Sequence, residues 1–173
     1  MELKHFTSVT NMSVGGNFSS CSNLVAADFT NIKVLGGGST QDAKPFYHVP
    51  IELVYLPSIT TINSSYSFQS AAVSNTVANM QSLPPRVFVL GANLVSITGG
   101  PYTFAYPRDK KIVILATTPP SCNSTFNRTG CLASAVIYVP DESIDAYKET
   151  AAFANWKSYI LPLSEYTGER PWE

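Results

Sequence analysis

Five short β-prone runs, recurring at intervals of a few tens of residues, constrain this chain more than any other feature. They are Leu24-Val-Ala-Ala27, Leu53-Val-Tyr-Leu56, Val87-Phe-Val-Leu90, Ile112-Val-Ile-Leu115 and Val136-Ile-Tyr-Val139. Each opens on an apolar residue and closes three positions later on another apolar or small one. A turn-prone residue then follows: Asp28, Pro57, Gly91, Ala116 or Pro140. A four-residue run cannot hold a core alone. Repeated, such runs can stack, each burying its apolar side against the next, and that is the physical basis of repeat architectures.

The spacing supports stacking. Phe6-Thr-Ser-Val9 matches Phe29-Thr-Asn-Ile32 at an offset of 23 residues, and the later anchors advance from 24 to 53, 87, 112 and 136. The shortest steps have the length of a bare coil, and the longer ones carry insertions at Gly36–Lys44 and Gln69–Pro85. The first insertion is Gly-rich. The second reads either as a short helix stopped by Pro84-Pro85 or as a decorated loop. Within the coils a second apolar pair recurs (Ile32/Leu35, Ile59/Ile62, Leu94/Ile97), followed by an aromatic where the chain turns back: Phe18, Phe46, Phe68, Phe104 and Phe126. Gly, Ser, Asn, Thr and Pro fill the intervals, as tight turns require.

From Pro140 the period changes. Asp141-Glu-Ser-Ile-Asp-Ala-Tyr-Lys-Glu-Thr-Ala-Ala152 predicts an amphipathic helix with Asp141 as N-cap, acidic residues at its positive end, and Ile144, Tyr147 and Ala151 on one face. Phe153, Trp156, Tyr159, Ile160 and Leu161 add an apolar plug. The expected organisation is therefore coils over residues 1–140, a helical cap over 141–163 that hides the last rung, and a polar, frayed tail over 164–173.

Composition narrows the function classes. At 173 residues the chain suits one domain with a sizeable core. Only 13% of residues are charged, against about 25% in a typical globular protein, and Ser, Thr and Asn fill the difference. A net charge of -1 argues against nucleic acid as partner; the one basic cluster, Arg108, Lys110 and Lys111, is broken by Asp109. No run approaches the roughly 18 apolar residues of a membrane span, and the opening Met-Glu-Leu-Lys-His-Phe shows no signal peptide. Cys21, Cys122 and Cys131 lack metal-ligand spacing. Cys21 is expected in the core, and Cys122 and Cys131 either close a small loop around Phe126 or remain buried thiols.

Catalytic chemistry finds little to work with. His5 and His48, the two histidines, have no Asp or Ser at a motif-like distance. Gly36-Gly-Gly-Ser-Thr40 lacks the Gly-Lys-Ser/Thr of a phosphate loop. Helix capping accounts for Asp141, Glu142 and Asp145 without a cation. No enzyme activity, cofactor or metal is expected.

Two binding surfaces remain. If Leu56, Leu90, Leu115 and Val139 point inward, strand alternation sets Tyr55, Val89, Ile114 and Tyr138 on the opposite face. Stacking would align them as an apolar, partly aromatic stripe, either a partner surface or a stripe covered by cap or insertion residues. The turn Gly99–Arg108 offers Tyr102, Tyr106 and Arg108, which either stack on a sugar or peptide or serve as ordinary turn packing.

Several of these stretches resemble one family. Lys111-Ile-Val-Ile-Leu-Ala-Thr-Thr-Pro-Pro-Ser121, Phe126, Val136-Ile-Tyr-Val-Pro-Asp-Glu-Ser-Ile-Asp-Ala-Tyr-Lys148, Trp156 and Ile160-Leu-Pro-Leu163 resemble the C-terminal end of BspA-like leucine-rich repeat proteins. Phe18-x-x-Cys21-x-x-Leu24 and Leu56-Pro-Ser-Ile-Thr-Thr-Ile62 are similar to the internal repeats of that family. The resemblance implies an α/β solenoid, a right-handed leucine-rich-repeat-like coil stack of about five coils with a parallel β-ladder and a C-terminal helical cap. It further implies a non-enzymatic binding or adhesion module, at a bacterial cell surface or secreted, that takes a protein or glycan partner without inserting into the membrane. The alternative is a structural or host-recognition component of a phage virion or a larger surface assembly. Oligomeric state is left open.

Overall fold

The computed structural model describes residues 11–12, 26–36, 53–63, 87–101, 103–104, 111–128 and 134–173. Their strands form two all-parallel sheets. The larger is built from β2 (Ala26–Asp28), β4 (Leu53–Leu56), β6 (Val87–Leu90), β8 (Lys111–Ile114), β10 (Val136–Val139) and β11 (Ile160–Pro162), side by side in that order. The smaller comprises β1 (Asn11–Met12), β3 (Val34–Leu35), β5 (Thr61–Ile62), β7 (Ser96–Ile97) and β9 (Ser121–Cys122), again side by side. From β2 to β10 the chain visits the sheets alternately, so each strand pairs with the strand two places earlier. With few helices besides, the fold is α/β in the coarse sense.

The register shows why four-residue runs suffice. Ala26, Leu53, Val87, Lys111 and Val136 stand in one row across the larger sheet, and Asn11, Val34, Thr61, Ser96 and Ser121 in one row across the smaller. Backbone hydrogen bonds continue the ladder around the corners between sheets. Gly91 N–H donates to Leu56 O at 3.0 Å, Thr60 N–H to Lys33 O at 2.8 Å, and Val95 N–H to Thr60 O at 2.9 Å. At one such corner a Cβ on residue 91 would overlap the Pro57 carbonyl, so only glycine lets these two backbones pass.

Two of the expected runs are shifted. The first strand of the larger sheet is Ala26–Asp28, starting two residues later than Leu24–Ala27, and the buried Phe29 follows it. The fourth is Lys111–Ile114, one residue earlier than Ile112–Leu115. A run chosen for being wholly apolar starts one residue late here, because Lys111 occupies the row of Leu53, Val87 and Val136, where a long aliphatic stem is tolerated.

The core lies between the sheets. Val54 and Leu56, Phe88 and Leu90, Ile112 and Ile114, and Ile137 and Val139 alternate into it from the larger sheet; Leu35, Ile62 and Ile97 meet them from the smaller. Phe104 and Phe126 stack edge-on at 4.8 Å, and Phe153 continues the column at 5.2 Å from Phe126. Phe18, Phe46, Phe68 and both insertions beyond Gly36 lie outside the described residues.

After Val139 a 3-10 turn (Asp141–Ser143) leads into α1 (Ile144–Glu149), a 3-10 segment (Ala151–Tyr159), β11 and a last 3-10 turn (Leu163–Glu165). The single helix expected over 141–152 is broken at Thr150, whose extended backbone ends α1 and whose side chain bonds back to Ala146 O at 2.8 Å. The break resets the phase, so Ala152 is buried and Ala151 exposed. Asp141 caps neither helical start; it accepts the Ser164 N–H at 3.0 Å instead. Ile160 and Leu161, expected as a plug, form a sixth parallel strand on the larger sheet, which Pro162 ends. No helix among the described residues is long and apolar enough to cross a membrane.

Candidate functional site: the outer face of the larger sheet

Side chains alternate across each strand, so the residues between the core positions face away from the smaller sheet. Tyr55, Val89, Val113 and Tyr138 stand in one row there, with Leu161 beside Tyr138. The expected stripe therefore needs one correction. Ile114 is not part of it: it pairs with Leu90 and is fully buried in the core between the sheets. Val113 takes its place, because β8 begins at Lys111 and every later side chain in that strand changes face.

The stripe is covered over most of its length by a segment expected to be frayed. Tyr166 is 2% exposed and lies on Tyr138, ring centroids 5.1 Å apart in a T-shaped arrangement, leaving Tyr138 7% exposed. Trp172 packs on Tyr166 at 5.5 Å, and the Lys111 ammonium sits 5.6 Å from the Tyr166 ring centre. Val89, Val113, Tyr138 and Tyr166 make a second buried apolar cluster, separate from the core, with Tyr55 half-buried at its margin. Composition hid this segment. Residues 164–173 carry three Glu and one Arg, and the two aromatics that do the packing stand six residues apart. The legible signal was Tyr166-x-Gly168: a Cβ at 168 would overlap the Tyr166 ring and hydroxyl, so the backbone wraps the tyrosine's tip only with glycine there.

The seat is tight sterically and incomplete chemically. Among the described residues the Tyr166 hydroxyl has no hydrogen-bond partner. A buried, unsatisfied hydroxyl costs about 1–3 kcal/mol, and full burial of a large apolar side chain returns about 1.5–3 kcal/mol. The two terms are of the same size. The edge-on contact with Tyr138, worth about 0.5–1.5 kcal/mol, tips the balance toward the seated position.

The electrostatics follow from this burial. Desolvation first, and then the Glu165 carboxylate, push the Tyr138 phenol above its ordinary value. Desolvation, Tyr138 and Glu169 push Tyr166 up, with Arg170 opposing them. Asp141 is fully exposed, and its hydrogen bonds from Ser164 hold its carboxyl below the usual range. The stripe carries no charge of its own between Tyr55 and Tyr138, which suits it to apolar and aromatic groups rather than to ions.

Of the other residues singled out above, Tyr102, Tyr106, Arg108, His5, His48, Cys21 and Cys131 lie outside the described residues. Cys122 is a free thiol that donates to Pro120 O at 3.1 Å, and burial pushes it up to about 11, which leaves it protonated and unreactive near neutral pH. Among the described residues no group of three or more His, Cys, Asp and Glu is placed to hold a metal ion. No protein-family model matches the chain, and no curated protein is significantly similar to it.

Proposed function

We propose that the chain is a non-enzymatic binding module: a leucine-rich-repeat-like, right-handed coil stack with a C-terminal cap, of the BspA-like kind, acting in adhesion at a bacterial cell surface or after secretion. Support for the coil stack comes from the pairing order, each strand from β3 to β10 lying parallel beside the strand two places before it, since crossovers between parallel strands are right-handed. Residues 141–162 would then seal the last rung, with Pro162 blunting the edge strand.

The observation that carries the functional reading is the in-register row Tyr55–Val89–Val113–Tyr138, an apolar, aromatic stripe on the sheet face turned away from the core. The chain's own Tyr166 and Trp172 cover that row; uncovered, an apolar and aromatic row of this kind fits contact with a partner. The partner is a protein or glycan surface. An array of glycans and matrix proteins, probed with the wild-type chain and with Tyr55→Ala/Tyr138→Ala, tests this. Specific binders that the double variant loses are expected. Binders retained by the double variant would remove the stripe from the function.

A further inference from the structure

Resting on the reading of the stripe as a contact surface, we propose that residues 163–173 form a strap that holds it closed. The ligand displacing the strap is a peptide presenting an aromatic side chain where Tyr166 now sits.

Three observations converge on a strap. First, its attachment is unlike that of the rest of the chain. Its backbone hydrogen bonds, Tyr166 N–H to Leu163 O at 3.0 Å and Glu173 N–H to Arg170 O at 3.2 Å, both stay inside the segment, as do Arg170 to Tyr166 O and to Glu173. Ser164 N–H donates to the exposed Asp141 carboxylate at 3.0 Å, and the Ser164 side chain and the Leu163 backbone bond to the same carboxylate, so among the described residues the segment's ties outside the strand ladder gather on one exposed side chain. Everything else is side-chain packing on Val89, Val113 and Tyr138 with Lys111 alongside. Second, Tyr166 seats with its hydroxyl buried and unpartnered; a ligand whose aromatic ring lacks that hydroxyl, or whose backbone reaches it, loses nothing on entering. Third, Pro162 is the last residue of β11, so the chain from Ser164 onward can lift without unpairing a strand.

The strap also shows what the surface accepts. It is a peptide with an aromatic ring edge-on to Tyr138, a glycine two residues on that lets the chain close over the ring, and a second aromatic six residues on against the first. A peptide of that chemistry competes with the strap for one seat, so its apparent affinity scales with the fraction of molecules whose strap is open.

The test uses the full chain and a fluorescein-labelled synthetic peptide of residues 163–173. Gly168→Ala places a methyl on the Tyr166 ring and unseats the strap; it should bind the peptide at least tenfold more tightly than wild type. Tyr166→Phe removes the orphan hydroxyl, seats the strap more firmly, and should bind it more weakly than wild type. Adding Tyr138→Ala to Gly168→Ala should abolish the gain. Equal affinities for wild type and Gly168→Ala, or a gain that survives Tyr138→Ala, would overturn the strap. Should Gly168→Ala not fold by circular dichroism, Tyr166→Ala takes its place with the same two readings. The test separates from the array above. Array binders indifferent to Gly168→Ala refute the strap alone, and peptide binding gained by Gly168→Ala with no array binder refutes the surface-adhesion role alone.

Discussion

On the inner side of the larger sheet Tyr147 is fully buried and its hydroxyl donates to Ala116 O at 2.9 Å. On the outer side Tyr166 is almost as deeply buried, and its hydroxyl has no partner among the described residues. The surroundings differ in the same way. Inside, the segment after α1 is tied to the chain following β9 by Phe126 N–H to Ala152 O at 2.8 Å and by Asn155 to Phe126 O at 3.1 Å. Trp156 Nε1 also lacks a partner there, but its ring is clasped by Phe104 and by the Arg128 guanidinium at 4.9 Å, on a segment the backbone already fixes. Outside, packing alone holds the aromatic. A side chain can be equally hidden and yet be held by a network in one place and by a balance in another.

The largest effect should come from the inner column. Phe126→Ala removes a ring that contacts both Phe104 and Phe153 and should cost about 3–5 kcal/mol in urea unfolding, much of a stability of about 5–15 kcal/mol. Gly91→Ala drives a methyl into the Pro57 backbone and should cost about 1–3 kcal/mol, with the loss seen as a lower midpoint at unchanged slope. The sharpest comparison is between the two tyrosines. Tyr147→Phe leaves the Ala116 carbonyl without its donor and should cost about 1–3 kcal/mol, whereas Tyr166→Phe should be neutral or stabilising. Equal losses for the two would erase the distinction between the faces.

Legibility in the sequence tracks the same divide. The runs at 53–56, 87–90 and 136–139 were readable because their apolar ends both belong to strands. Those at 24–27 and 112–115 were misplaced by two residues and by one, since Asp28 and Lys111 do not look like the end and start of an apolar run. A slip of one moved Ile114 to the wrong face. The apolar pairs ending in Leu35, Ile62 and Ile97 marked the smaller sheet. The segment 164–173 was not readable, because periodicity has no purchase on two aromatics set in a polar stretch, and what fixes them is a surface assembled from four distant strands.

Smaller effects come from pH. Tyr138, Tyr147 and Tyr166 all titrate above their ordinary value when folded. Their contribution is fully present below about pH 10 and is lost as pH rises from there toward the folded-state values, because the unfolded chain gives up its phenol protons first. Urea midpoints measured from neutral pH upward should fall beyond that point, less steeply for Tyr147→Phe. Smallest is the loss at acid pH. Asp141 is held below the ordinary carboxyl range by the Ser164 bond, so that bond fades as pH falls through its folded value, below about pH 4. Asp141→Asn should reproduce the loss at neutral pH as earlier proteolysis after Leu163, with little change in global stability.

Hydrogen exchange under native conditions, read amide by amide, compares the two faces within one molecule. The amides of Tyr166 and Glu173, bonded only within their own segment, should exchange through local opening far faster than those of β6, β8 and β10 or of Phe153, which should wait for global unfolding. Tyr166 and Glu173 protected to the same free energy as the β-strands would show that the outer face is closed as permanently as the core.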